Sequence, residues 1–157
     1  MRIMRNHVCE TKSKFRGPAA LELLEVEAMP ETYQRLETVL IIEDQEDLNR
    51  ALALRLEHEG LSVICAYDGI AGLEKARLLE PEVIVLDLRL PRMHGYRLMQ
   101  LLRQEPDLRD TPIILMTGDQ SPELEKNAKA WGIEQVFRKP VKQRELVEAV
   151  SRTLAGY

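Results

Sequence analysis

The sequence predicts an α/β protein in which five short strands alternate with five helices. Three observations carry that prediction. Short apolar runs rich in valine and isoleucine recur along the chain, and such runs read as strands buried on both faces of a parallel sheet. Between them, apolar residues return at helical spacing. The connections are short enough for right-handed parallel crossovers.

Residues 1–36 do not share this pattern. The first sixteen residues carry Arg2, Arg5, Lys12, Lys14 and Arg16 against Glu10 alone. After Gly17-Pro18, the positions Ala20, Leu21, Leu24 and Ala28 fall roughly on one face of a short helix over 19–28, which Pro30 ends. A helix that short is marginal by itself. The stretch 1–36 is therefore expected to be an extension, either a short helix that packs on something or a frayed tail, ahead of a domain spanning 37–157.

From Glu37 the elements follow in order. A strand over 38–42 runs into Glu43-Asp44. Leu48, Ala51, Leu52, Leu54 and Leu56 have helical spacing, and Gly60 is a natural stop. Residues 61–66 form the second strand. Asp68 caps a helix through Leu73, Ala76 and Leu79 that ends at Pro81. The third strand, 83–87, runs straight into Asp87, after which Pro91 and Gly95 force a turn. A helix over 96–103 stops before Pro106. The fourth strand covers 112–117. Ser121 caps, and Pro122 opens, a helix reaching Trp131-Gly132. The fifth strand is 133–138, and Leu146, Val147, Val150 and Leu154 mark the last helix.

Composition removes several classes. The formal net charge of −4 argues against a nucleic-acid-binding module, which is normally basic. No apolar run approaches the ~20 residues of a membrane span, and the start lacks the apolar stretch of a signal peptide, so a cytoplasmic protein is expected. Cys9 and Cys65 make no disulfide framework, and Cys65 reads as a small buried hydrophobe. His7, His58 and His94 are scattered without metal-ligand spacing.

In a parallel sheet every strand's carboxyl end meets one edge, where open α/β sheets bind ligands. Glu43 and Asp44, Asp87, Thr117 and Lys139-Pro140 end four of the strands. That edge gathers three carboxylates, a hydroxyl and an ammonium. Clustered carboxylates repel unless a cation joins them, and hard oxygen ligands select Mg²⁺. The set suits phosphoryl transfer. Asp87 serves as nucleophile, Thr117 as hydrogen-bond donor to a phosphoryl oxygen, and Lys139 as counter-charge.

These residues resemble the receiver domain of two-component response regulators. The resemblance covers 38–155 and rests on Glu43-Asp44, Leu86-Asp87, Leu90-Pro91-Arg92-Met93-His94-Gly95, Met116-Thr117-Gly118 and Arg138-Lys139-Pro140. It implies a flavodoxin-like, doubly wound (βα)5 sheet with strand order 2-1-3-4-5 and a cis Lys139-Pro140 bond. It implies phosphorylation of Asp87 by the phosphohistidine of a sensor histidine kinase or phosphotransfer protein. Mg²⁺ would be held by Asp44, Asp87 and the carbonyl of Arg89, with Glu43 reaching the ion directly or through water. Such a protein is a phosphoacceptor that catalyses only its own phosphorylation and dephosphorylation. It signals through protein contacts in a phosphorelay, as a monomer or a phosphorylation-dependent dimer. A complete chain is expected to be a stand-alone regulator or relay intermediate, whereas a piece of a longer protein would have its output domain elsewhere; neither kinase nor downstream partner is named by the sequence.

Some positions depart from the family. Receivers often carry Tyr or Phe three residues before the lysine, where this chain has Val136. Phe137 points to the opposite sheet face and is expected in the core. Trp131 stands where small residues are usual, and core packing is its expected role. Arg89 and Asp119 flank the site with opposite charges, and are expected either as solvated loop charges or as a guanidinium–carboxylate bridge over its mouth. Two other readings compete. A haloacid-dehalogenase-like phosphatase needs a second acid two residues after the nucleophile, and that residue is Arg89. A non-phosphorylated scaffold has no use for an intact acceptor, acidic pair, threonine and lysine.

Overall fold

A computed structural model describes residues 36–120 and 122–156. The expected helix over 19–28 and the Ser121 cap lie outside the described residues. The elements are β1 (Thr38–Ile42), α1 (Glu46–His58), β2 (Ser62–Ala66), α2 (Gly69–Leu79), β3 (Val83–Asp87), α3 (Gly95–Gln104), β4 (Ile113–Thr117), α4 (Pro122–Asn127), β5 (Ile133–Arg138) and α5 (Gln143–Leu154). All strand pairs are parallel, in the order β2-β1-β3-β4-β5. This is the doubly wound topology that the resemblance implies.

Side chains alternate across a strand, so each central strand feeds two cores. Leu40, Ile42, Ile84, Leu86 and Leu115 pack with α2, α3 and Leu124 of α4. Val39, Ile41, Val83, Val85 and Met116 pack with α1 and α5. Strands buried on both faces show no polar alternation, which is why they read as unbroken apolar runs. Phe137 joins the α1–α5 layer, while Val136 packs against the other layer, as alternation requires. Leu54 departs from the expected stripe. It sits two residues from both Leu52 and Leu56, turns to the far side of α1 and is 68% exposed. Cys65 is half-buried because β2 is an edge strand.

Helix ends follow their capping residues. Asp68 Oδ1 accepts the N–H groups of Ile70 and Ala71 at 2.9 and 2.8 Å, opening α2. The helix predicted to reach Trp131 instead ends at Asn127 and continues as a 3-10 turn over Lys129–Trp131. Its closure explains the change. Ile133 donates to the Ala128 carbonyl and Gly132 to the Lys129 carbonyl, with Gly132 at φ 67°. This paired-bond stop tightens the last turn before a left-handed glycine.

Gly95 sets where α3 begins. Its N–H donates to the Leu88 carbonyl at 2.9 Å. A Cβ here would lie 2.7 Å from Leu88 Cα and 2.8 Å from the Asp87 carbonyl oxygen. Both are main-chain atoms next to Asp87. Gly95→Ala is therefore expected to destabilise the fold by about 1–3 kcal/mol. Gly118→Ala, where a Cβ meets nothing within 4 Å, should stay within about 0.5 kcal/mol of wild type. Urea denaturation of the two variants measures the contrast.

Candidate functional site at the carboxyl edge of the sheet

Four strand ends deliver the predicted residues to one place. Glu43 follows β1, Asp87 closes β3, Thr117 closes β4 and Lys139 follows β5. Glu43 and Thr117 are fully buried and Asp87 is 3% exposed, whereas Asp44 faces solvent. The Lys139 N–H extends the β4–β5 ladder by donating to the Thr117 carbonyl at 2.9 Å. The Lys139-Pro140 bond is cis.

Lys139 Nζ lies 2.7 Å from Asp87 Oδ2 and 2.7 Å from Glu43 Oε2. The bond to Asp87 is aligned. The approach to Glu43 is an ion pair only, so Oε2 stays buried without an aligned donor. The other carboxylate oxygens are held by main chain. Asp87 Oδ1 accepts from the Arg89 N–H at 3.1 Å, and Glu43 Oε1 from the Gln45 N–H at 3.0 Å. Thr117 Oγ1 accepts from the Asp119 N–H at 3.0 Å.

Burial raises the Glu43 carboxyl above its usual range; Lys139 and the Gln45 N–H oppose this, and Asp87 adds to it. Burial pulls the Lys139 ammonium down, but its partners Asp87 and Glu43 outweigh burial and hold it charged above its usual range. Oxygens of Glu43, Asp44 and Asp87 all lie within 4.8 Å of one another. Three carboxylates gather at a site with one ammonium, which pairs with two of them, and one buried oxygen lacks an aligned donor. A hard cation such as Mg²⁺ fits that donor set.

Arg89 enters the site through its main chain, and its exposed guanidinium makes no ion pair with Asp119 among the described residues. The expected bridge does not form. The Asp119 N–H is turned inward to Thr117, a main-chain direction that the two charges do not specify.

Two supporting groups were not anticipated. Asn49 is fully buried, and its Nδ2 donates to the Glu43 and Ala66 carbonyls at 3.0 Å each, tying the ends of β1 and β2 together. Its signal was a polar residue inside the apolar stripe, one turn before Leu52. Asp68, read only as a cap, also holds Arg92 through Oδ2 at 3.1 Å. Arg92 has a left-handed φ of 65° in the turn after Asp87, so the start of α2 braces that turn.

A sequence profile described as the response regulator receiver domain matches residues 39–151. Hybrid signal transduction histidine kinase D of Dictyostelium discoideum is 34% identical over 112 residues, covering 71% of this chain and 7% of that protein. Response regulator ArlR of Staphylococcus haemolyticus is 34% identical over 116 residues, covering 74% of this chain and 52% of that protein. Among solved structures, chemotaxis response regulator CheY4 of Vibrio cholerae matches with a TM-score of 0.69 at 28% identity, over 75% of this chain and 98% of that one. The signal receiver domain of a signal transduction histidine kinase from Syntrophus aciditrophicus matches with a TM-score of 0.68 at 31% identity, over 76% of this chain and 91% of that one. The chain thus spans about half the length of the first regulator and a small fraction of the hybrid kinase.

The shared ammonium makes stability depend on pH. The stability that raised Lys139 confers is complete below its ordinary value of 10.5 and is lost as pH rises through the raised one. Raised Glu43 confers stability below its ordinary 4.5, lost as pH rises through its raised value. Lys139→Ala removes the charge that opposes burial of Glu43, so that carboxyl is pushed further up. The variant's stability deficit should be small near about pH 4 and reach about 3 kcal/mol near about pH 8. Denaturation at both pH values measures it, and an equal deficit at each would refute the ion-pair account.

Proposed function

The chain belongs to the response regulator receiver domain family, and we propose that it accepts a phosphoryl group on Asp87 from a phosphohistidine. The family is a signalling domain rather than a classical enzyme. The observation that carries the proposal is the nearly buried Asp87 carboxylate, 2.7 Å from Lys139 Nζ and beside Glu43 and Asp44.

The transfer breaks the donor's N–P bond and forms a P–O bond to an Asp87 carboxylate oxygen, and the donor imidazole leaves. Arg89 N–H and Lys139 Nζ orient the carboxylate before attack. Lys139 then faces the added charge. Thr117 Oγ1 already accepts from Asp119, so its own hydrogen is left to donate to a phosphoryl oxygen. Mg²⁺, held by Asp44, Asp87, Glu43 and the Arg89 carbonyl, would when bound neutralise charge on the transferring group. The donor class is a sensor histidine kinase or phosphotransfer protein. Output is by protein contact, as a monomer or a phosphorylation-dependent dimer, without direct nucleic-acid binding.

No described helix is long and apolar enough to cross a membrane. We place the protein in the cytoplasm, with the receiver at 37–157 and residues 1–36 as an extension. A dehalogenase-like general acid has no counterpart, since the residue two after Asp87 is exposed Arg89.

Two outcomes test this reading. With acetyl phosphate and Mg²⁺, wild type should gain an acid-stable, hydroxylamine-labile phosphate, and Asp87→Asn should fall to background. Labelling of the variant at the wild-type level would overturn the assignment. Asp44→Ala should weaken Mg²⁺ binding by about tenfold or more, read by calorimetry. Asp68→Ala should change Mg²⁺ affinity far less than Asp44→Ala does, while costing about 0.5–2 kcal/mol of stability as a lost cap.

A further inference from the structure

We propose that Tyr96 is a positioning residue that couples the state of Asp87 to the 3-10 turn Lys129–Trp131. The inference rests on the phosphoacceptor reading and adds a route out of the site that runs along α3.

Tyr96 follows Gly95, whose N–H is bonded to Leu88 and whose Cα leaves no room for a methyl group against the main chain of Asp87 and Leu88. The ring is therefore anchored one residue from the acceptor's own backbone. It stacks on His94 with centroids 5.4 Å apart and planes at 9°. It meets Trp131 edge-on, with centroids 5.0 Å apart and planes at 73°. Aromatic pairs in these geometries are directional, so a small displacement of one ring is felt by the next. Met93, Ala128 and Val136 pack against the same core cluster.

Two residues beside the site act on the Tyr96 hydroxyl through their charge alone. Burial raises the Tyr96 hydroxyl above its usual range, Asp119 adds to this, and Arg138 opposes it. The Asp119 N–H is bonded to Thr117 Oγ1, and Arg138 pairs with Thr117 in the sheet and precedes Lys139. Met116, which precedes Thr117, pairs with Asp87 in the sheet, so a shift of Thr117 toward a phosphoryl group bears on the main chain against which Gly95, the neighbour of Tyr96, is packed.

The far end of the route is clamped. Arg103, also on α3, donates Nε to the Trp131 carbonyl at 3.2 Å and Nη2 to the Gly132 carbonyl at 3.0 Å. Its Nη1 donates to the Leu108 and Thr111 carbonyls at 3.2 and 2.8 Å. These bonds fix the backbone of the turn to α3. The Trp131 indole and the groove of about 730 Å³ that it lines with Tyr96, Met99 and Arg103 are then where a moved Tyr96 ring registers.

The test uses the full chain with Mg²⁺ and beryllofluoride, a phosphoryl mimic. Bound beryllofluoride is read by ¹⁹F resonances, and the turn by amide shifts of residues 128–132. Emission of Trp131, the single tryptophan, gives a second reading. Wild type and Tyr96→Phe, which keeps the ring, should show the same induced shifts. In Tyr96→Leu, with beryllofluoride still bound, the shifts should fall by about threefold or more. Trp131→Leu keeps Tyr96 and removes its contact, so it should show the same fall and decides the matter should Tyr96→Leu not fold. Wild-type shifts in either leucine variant with beryllofluoride bound would overturn the coupling alone. No bound beryllofluoride in wild type would overturn the phosphoacceptor reading, and the coupling with it.

Discussion

The Lys139 ammonium, 2.7 Å from both Glu43 and Asp87, is the contact on which the rest of the site depends. Burying one carboxylate without a partner is costly, and burying two side by side costs more. Lys139 makes the pair tolerable and still leaves negative charge in excess, since Asp44 stands beside them. A site that was fully neutralised would have little call for a divalent cation. A site with no internal cation would leave two buried carboxylates side by side without a counter-charge. The observed balance lies between these limits, where the added charge of a phosphoryl group can be met.

That balance demands placement more than strength. Five parallel strands bring their carboxyl ends to one edge, but the side chains must also be held there. Asn49 satisfies the carbonyls that end β1 and β2. Gly95 lets α3 begin in contact with the acceptor strand. Asp68 caps α2 and braces the turn after Asp87 through Arg92. None of these bonds involves the side chain of Asp87, Thr117 or Lys139, yet each removes a degree of freedom from the segments that carry the site.

Much of this was legible in the sequence because the strands are buried on both faces. Their unbroken apolar runs located the edge, and the edge located Glu43, Asp44, Asp87, Thr117 and Lys139. What stayed hidden depends on partners distant in sequence. Arg103 reads as an ordinary cation near a helix end, yet its acceptors come from the segments around Leu108, Thr111, Trp131 and Gly132. The Arg89–Asp119 bridge failed for a related reason. Charge and position along the edge do not fix where two side chains point, and no ion pair joins Arg89 to Asp119 among the described residues. The end of α4 was misjudged because the Trp131-Gly132 stop closes a 3-10 turn as readily as an α-helix.

The aromatic residues show how one residue of register decides a route. Sheet alternation puts Phe137 in the α1–α5 layer and Val136 in the layer of α2, α3 and α4. An aromatic ring on β5 is present, then, but on the face away from Trp131. Moving it across would require slipping β5 against β4, which would also carry Lys139 away from Thr117. The ring facing Trp131 has to come from another element. α3 meets that need because it starts at the acceptor turn and carries both Tyr96 and Arg103 toward the same turn. The register that places Lys139 in the site thus excludes Phe137 from this route and leaves it to Tyr96.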